Sequence, residues 1–152
     1  MEFELMRDSH SVGEANYHMQ FTPAYRRDIF GDELTKLLTR DYIVAAAKRH
    51  GIQIAAIGFG ADHCHVFTEG CKNHSPSEVA MLLKGFSSCM MRKHHRDLFR
   101  SKLTNRFWSG GYFYRTVGAV NAETVRTYVA QSQEKHWEKP TGQRTLIQFR
   151  AN

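Results

Sequence analysis

The order of hydrophobic periods along this chain leaves few folds open to it. Residues 15–22, ANYHMQFT, set Tyr17, Met19 and Phe21 against Asn16, His18 and Gln20. A period of two predicts a strand with one buried face. From Glu33 to His50 the period lengthens. Leu34, Leu37, Leu38, Tyr42, Ile43 and Ala46 recur at helical spacing, after Asp32 as an N-cap and before Gly51 as a stop. That stripe is expected to be core. Ile52 to Phe59 and His63 to Glu69 read as two further strands, joined by a turn around Gly60 to Asp62. Ser75 and Glu78 form a capping box that opens a helix from Pro76 to near Arg96, with Val79, Leu82, Leu83, Phe86 and Met90 as its apolar stripe. Tyr112 to Val117 predicts a fourth strand. A last helix begins at Asn121 or Thr124 and runs through Tyr128 to near Trp137. The order β-α-β-β-α-β-α predicts an α+β fold. It is a ferredoxin-like (RRM-like) antiparallel four-stranded sheet with helices on one face, plus a C-terminal helix carrying Tyr128.

Length agrees with one core. At 152 residues and 17.5 kDa the chain suits a single domain over 1–152, its core spanning about 10–137 and its tail, 140–152, loose. No run approaches 18 apolar residues, so no membrane partner is expected. The start, MEFELMRDSH, has acids where a signal peptide needs a basic region, so a cytoplasmic location is expected. Cys64, Cys71 and Cys89 are odd in number and form no CxxC pair, which argues against a disulfide framework and a standard structural zinc site.

Charge is more informative in its position than in its total. The formal net charge is +6. Between Lys84 and Arg106 lie seven basic residues against one acid, Asp97, leaving 14 of each sign elsewhere. A localised basic segment is the signature of a polyanion-binding surface. Lys84, Arg92, Lys93, Arg96 and Arg106 are therefore candidate nucleic-acid contacts, DNA or RNA, as are Arg26 and Arg27 in the loop after the first strand. Phe107, Trp108, Tyr112 and Tyr114 interleave with Arg106 and Arg115. Such aromatics either stack on unpaired bases or fill a sheet core, and about half are expected in the core.

His63 and His65 are separated by Cys64 on a predicted strand. Alternation puts both imidazoles on one face, about 6–7 Å apart along the chain. Two neutral imidazoles so placed can share a metal ion, with Cys64 turned to the other face. Asp62, just before them, can accept from an imidazole and orient it. Tyr128 lies on the terminal helix with Gln131 three residues on, hence on the same helical face. His18 and His136 read as structural.

Four collinear segments carry a resemblance: HSVGEANYHMQFTPAYRRDIF, ADHCHVF, FWSGGYFYRTVG and VRTYVAQSQ. Together they resemble the single-tyrosine HUH transposases of the insertion sequence 200/605 family, from His10 to Gln133. The resemblance implies an enzyme that cuts and rejoins single-stranded DNA at mobile-element ends. It implies Tyr128 as nucleophile through a 5′-phosphotyrosine, and His63, His65 and a glutamine as ligands of Mg2+ or Mn2+. It also implies a homodimer that recognises hairpin ends, with the tyrosine acting in its own or the partner subunit. In the family pattern the glutamine follows the tyrosine by four residues. Here position 132 is serine and the glutamines are Gln131 and Gln133; Gln131 is taken as the third ligand.

The chemistry is coherent with that assignment. A tyrosine's ordinary pKa is about 10, so it needs help to attack at neutral pH. A cation on the scissile phosphate supplies that help. No GxxxxGK[ST] loop is present, as expected for joining that uses the stored phosphodiester energy. Three alternatives differ in kind. A domesticated repeat-associated relative would keep the chemistry without the mobile element. A ferredoxin-like nucleic-acid-binding module would need neither the histidine pair nor Tyr128. A zinc-stabilised regulatory protein would need Cys64 on the histidines' face.

Overall fold

Which way each strand faces follows from its alternation, and the computed structural model shows what each face meets. Residues 5–7, 9–118 and 126–131 are described. In chain order the elements are β1 (Met6–Arg7), β2 (Val12–Gly13), β3 (Tyr17–Phe21), α1 (Glu33–Arg49), β4 (Gln53–Gly60), β5 (His63–Glu69), α2 (Pro76–His94) and β6 (Phe113–Thr116). Residues 126–131 are helical and are called α3 below. β1 and β2 pair as a small ladder of two residues each, too short to leave a period in the sequence. The expected helical stretch 132–137, Gln133, His136 and the tail 140–152 lie outside the described residues.

β4, β5, β3 and β6 form one antiparallel sheet in that order. Past the end of β3 the ladder continues irregularly: Ala24 N–H donates to the Phe107 carbonyl at 2.9 Å and Ser109 N–H to Thr22 at 2.8 Å. One sheet face presents Tyr17, Met19 and Phe21 from β3, Ile57 and Phe59 from β4, and Cys64 and Val66 from β5. These pack with Ile43, Ala46 and Ala47 of α1 and with Val79, Ala80, Leu83 and Met91 of α2. Phe21, Phe30, Phe59 and Phe107 are fully buried there. Each such side chain contributes roughly 1.5–3 kcal/mol by leaving water. The opposite face carries a smaller cluster of Phe67, Val117 and Val129, with Ala55, Ala56 and Tyr128 packed against it.

β4 changes phase to serve both faces. Ile54 pairs with Thr68 while Ala56 pairs with Phe67, a β-bulge that inserts one residue. The slip lets Ile54 and Ile57, three apart, share the helix-covered face, and it gives the other face two small alanines beneath α3.

The α1 stripe requires a correction. Leu34 is 53% and Leu37 43% exposed, while Thr35, Lys36, Thr39, Ile43, Ala46 and Ala47 are buried. The buried face is rotated because its polar groups are satisfied locally. Asp32 accepts from Thr35 N–H at 2.9 Å and from Thr35 Oγ1 at 2.7 Å, and Thr39 Oγ1 donates to the Thr35 carbonyl at 2.7 Å. A hydroxyl so bonded is cheap to bury. On α2 the stripe holds except that Met91, not Met90, is buried.

Candidate active site

β5 sets the site. Its alternation turns Cys64 and Val66 into the main core and leaves His63, His65 and Phe67 on the α3 face. The His63 and His65 rings stand 4.9 Å apart, centroid to centroid, nearly perpendicular at 82°. Tyr128 on α3 is half-buried, its ring centroid 5.9 Å from that of His65. Arg126, two residues earlier, donates to the Glu69 carboxylate at the end of β5 and so ties α3 to the histidine strand. Gln131 is exposed at the last described residue of α3.

Each imidazole has a partner at Nδ1. His63 Nδ1 lies 2.8 Å from Asp62 Oδ1. A carboxylate only accepts, so Nδ1 of His63 carries a hydrogen, and in the neutral ring Nε2 is then the nitrogen with the lone pair. Asp62 also receives Arg26 Nε at 3.3 Å through its other oxygen. Arg26 and Tyr25 both have left-handed backbone, φ 53° and 58°, which costs on the order of 1–2 kcal/mol per residue. His65 Nδ1 lies 3.2 Å from His18 Nε2. Both rings are buried, at 4% and 1% exposure. Desolvation, with the Arg115 guanidinium across the ladder, pulls the His18 pKa down to about 4. Desolvation first, then His18 and His63, holds His65 well below the ordinary imidazole value.

A glycine of β4 makes room for the His63 ring. Gly58 pairs with His65 and Gly60 with His63. A Cβ on Gly60 would stand 2.2 Å from His63 Cε1 and within 2.8 Å of both ring nitrogens.

Among the described residues no three His, Cys, Asp or Glu side chains form a metal-holding group. Two imidazoles of the same face, each with Nδ1 engaged, are a partial donor set of the kind that suits a divalent ion. Cys64 is buried in the main core, where burial pushes its thiol up, so it is no part of this set.

The expected DNA contacts divide. Arg92, Lys93, Arg96 and Arg106 are exposed. Lys84 is half-buried, and its ammonium donates to the carbonyls of Ser109 at 2.8 Å and Gly111 at 2.7 Å. Burial, with Arg106 near, lowers its pKa. Arg27 donates to the carbonyls of Ala24 at 3.0 Å, Arg106 at 2.9 Å and Phe99. Both close loops as well as carrying charge. Phe107 and Trp108 are core, whereas Tyr112 and Tyr114 are exposed. His18, which the sequence reads as structural, is the buried neighbour of His65. Its signal was its place on the polar side of the first alternating strand; the missing knowledge was that β3 lies beside β5.

A family model described as "Transposase IS200 like" matches residues 11–132. Transposases for insertion sequence element IS200 from Salmonella typhimurium (strain LT2) and Salmonella typhi are each 30% identical over 128 residues, covering 84% of this chain and 82% of theirs. A solved structure of a candidate transposase from Deinococcus radiodurans R1 superposes with a TM-score of 0.67 at 20% identity, over 84% of this chain and 98% of that one, which shows a shared fold. The chain belongs to the IS200-like transposase family.

Proposed function

We propose that this transposase cuts and rejoins single-stranded DNA at mobile-element ends with Tyr128 as nucleophile. The observation that carries the reading is the approach of a helix-borne phenol ring to within 5.9 Å of one imidazole of a pair. The phenolic oxygen bonds to phosphorus and the phosphorus–3′-oxygen bond breaks. The departing 3′-oxygen takes up the phenol's proton to become a 3′-OH, and a 5′-phosphotyrosine remains. Rejoining is attack by another 3′-OH on that linkage, so no nucleotide is consumed. His63, His65 and Gln131 would hold Mg2+ or Mn2+, which when bound offsets charge on the scissile phosphate and orients it for in-line attack. Asp62 fixes the His63 ring. The sheet order and the two helices on one face support the ferredoxin-like assignment. The exposed aromatics at the β6 edge, Tyr112, Phe113 and Tyr114, support a homodimer. Among the described residues no helix is long and apolar enough to cross a membrane.

The test is incubation with hairpin-ended single-stranded DNA and Mn2+, followed by a denaturing gel. A protein–DNA band resistant to denaturation is expected. It should vanish in Tyr128→Phe and in His63→Ala while gel retardation persists. Retardation with no covalent band in the wild type would leave a binding module without catalysis.

Binding itself is testable through salt. Replacing Arg92, Lys93 or Arg96 by Gln should weaken single-strand affinity and flatten the slope of log Kd against log salt by about 0.7 per lost phosphate contact. Lys84→Met should leave the slope nearly unchanged, because its ammonium is committed to two carbonyls. Fluorescence anisotropy across a salt series measures both. Equal slopes for wild type and all three surface variants would remove the α2 end from the DNA path.

A further inference from the structure

We propose that His18 is a positioning residue that accepts a hydrogen bond from His65 Nδ1 and so fixes the tautomer in which His65 Nε2 bears the lone pair. The inference rests on the reading that His63 and His65 hold a divalent cation. It adds a residue from a different strand to the apparatus that holds it.

The argument is one of proton placement. His18 Nε2 and His65 Nδ1 are 3.2 Å apart, so one donates and the other accepts. If His18 donated, the single hydrogen of a neutral His65 would sit on Nε2, and that nitrogen could not bind a cation. If His65 donates, Nε2 is a ligand. His63 shows the same logic on the same face: Asp62 can only accept, so His63 is fixed with Nε2 available. The two imidazoles are then matched, one held by a carboxylate at the hairpin and the other by a neutral imidazole inside the sheet. The choice of partner suits the setting. Asp62 is half-exposed and paired with Arg26, whereas the His65 partner is buried at 1% exposure, where an unbalanced carboxylate would be costly. Register supplies the reach. Gln20 is the direct partner of His65 and Phe67 that of His18, so the two imidazoles meet on the diagonal. Groups that hold a ligand imidazole from behind are worth about 10–100-fold in metal affinity.

Two measurements decide it. Long-range 1H–15N NMR on the metal-free protein reports which nitrogen of His65 carries the hydrogen. The expected result is Nδ1–H with Nε2 bare; Nε2–H in the wild type overturns the proposal. Mn2+ affinity, read by EPR of the free ion, should fall about 10–100-fold in His18→Phe, which fills the space without an acceptor, and recover to within a few-fold of wild type in His18→Gln. A folded His18→Phe protein with wild-type Mn2+ affinity overturns it too. His63→Ala and His65→Ala are the controls for the underlying reading. If neither weakens Mn2+ binding, the metal site itself fails, a result distinct from failure of His18 alone.

Discussion

Gly60→Ala should leave a folded protein that still binds single-stranded DNA but cleaves it at least a hundredfold more slowly. The added methyl would lie 2.2 Å from His63 Cε1, more than 1 Å inside ordinary carbon–carbon contact. Something must move, and the ring is the group that can, because it is a half-exposed side chain and the alternative is the β4–β5 hairpin backbone. The stability cost is therefore small, about 1 kcal/mol, at the low end for overpacking. The catalytic cost is large for the same reason. A ring pushed aside loses the 2.8 Å bond to Asp62 that fixes its tautomer, and a misplacement of about 1 Å costs on the order of 10²-fold in a positioned reaction. The check is a double-mutant cycle in chemical denaturation, with cleavage rates followed alongside. The destabilisation by Gly60→Ala should disappear in a His63→Ala background, since the clash has gone. If it persists there, the methyl is meeting backbone and the glycine serves the hairpin rather than the histidine.

What the sequence could and could not disclose follows from range. Strand β5 was legible to its ends because capping, turn and alternation are local, and alternation alone separates Cys64 from His63 and His65. The two N-caps, Asp32 and Ser75, were equally local. The α1 face was misread because a leucine count ranks Leu34 and Leu37 above Thr35 and Thr39, and nothing nearby says that both hydroxyls are bonded within the helix. The bulge in β4 was written in the spacing of Ile52, Ile54, Ile57 and Phe59, a shift from two to three that marks a change of phase. The place of His18 beside His65 was not legible, since it depends on the register of β3 against β5, a pairing of distant segments. Charge counting is silent in a related way about the loop-closing bonds of Arg27 and Lys84. It weighs a guanidinium equally whether it faces water or three carbonyls.

Arg27→Ala separates those two meanings and should lower stability and cleavage together. The guanidinium joins three stretches of chain by donating to the carbonyls of Ala24, Phe99 and Arg106. Hydrogen bonds from a charged donor are worth about 1.5–3 kcal/mol each when buried. Here the side chain is only half-buried and water replaces part of the loss, so a total near 2 kcal/mol is expected. For a chain of this length that lowers Tm by about 4–8 °C. The effect on cleavage arises next door. Tyr25 and Arg26 hold left-handed backbone against a cost of order 1–2 kcal/mol each, and the Arg27 clasp is what fixes that turn on its C-terminal side. Without it the turn relaxes, Arg26 leaves Asp62, and the Asp62–His63 pair loses its outer support. Arg27→Lys then discriminates. Lysine keeps the charge but cannot form the planar fork, so it should remain close to the alanine variant in Tm and in cleavage. Were Arg27 chiefly a phosphate contact, lysine would restore affinity, Tm would be unmoved in both variants, and only the salt slope of binding would change. Thermal melts, anisotropy and cleavage on the same three proteins divide the cases, because the clasp acts through the fold and a phosphate contact acts only through the complex.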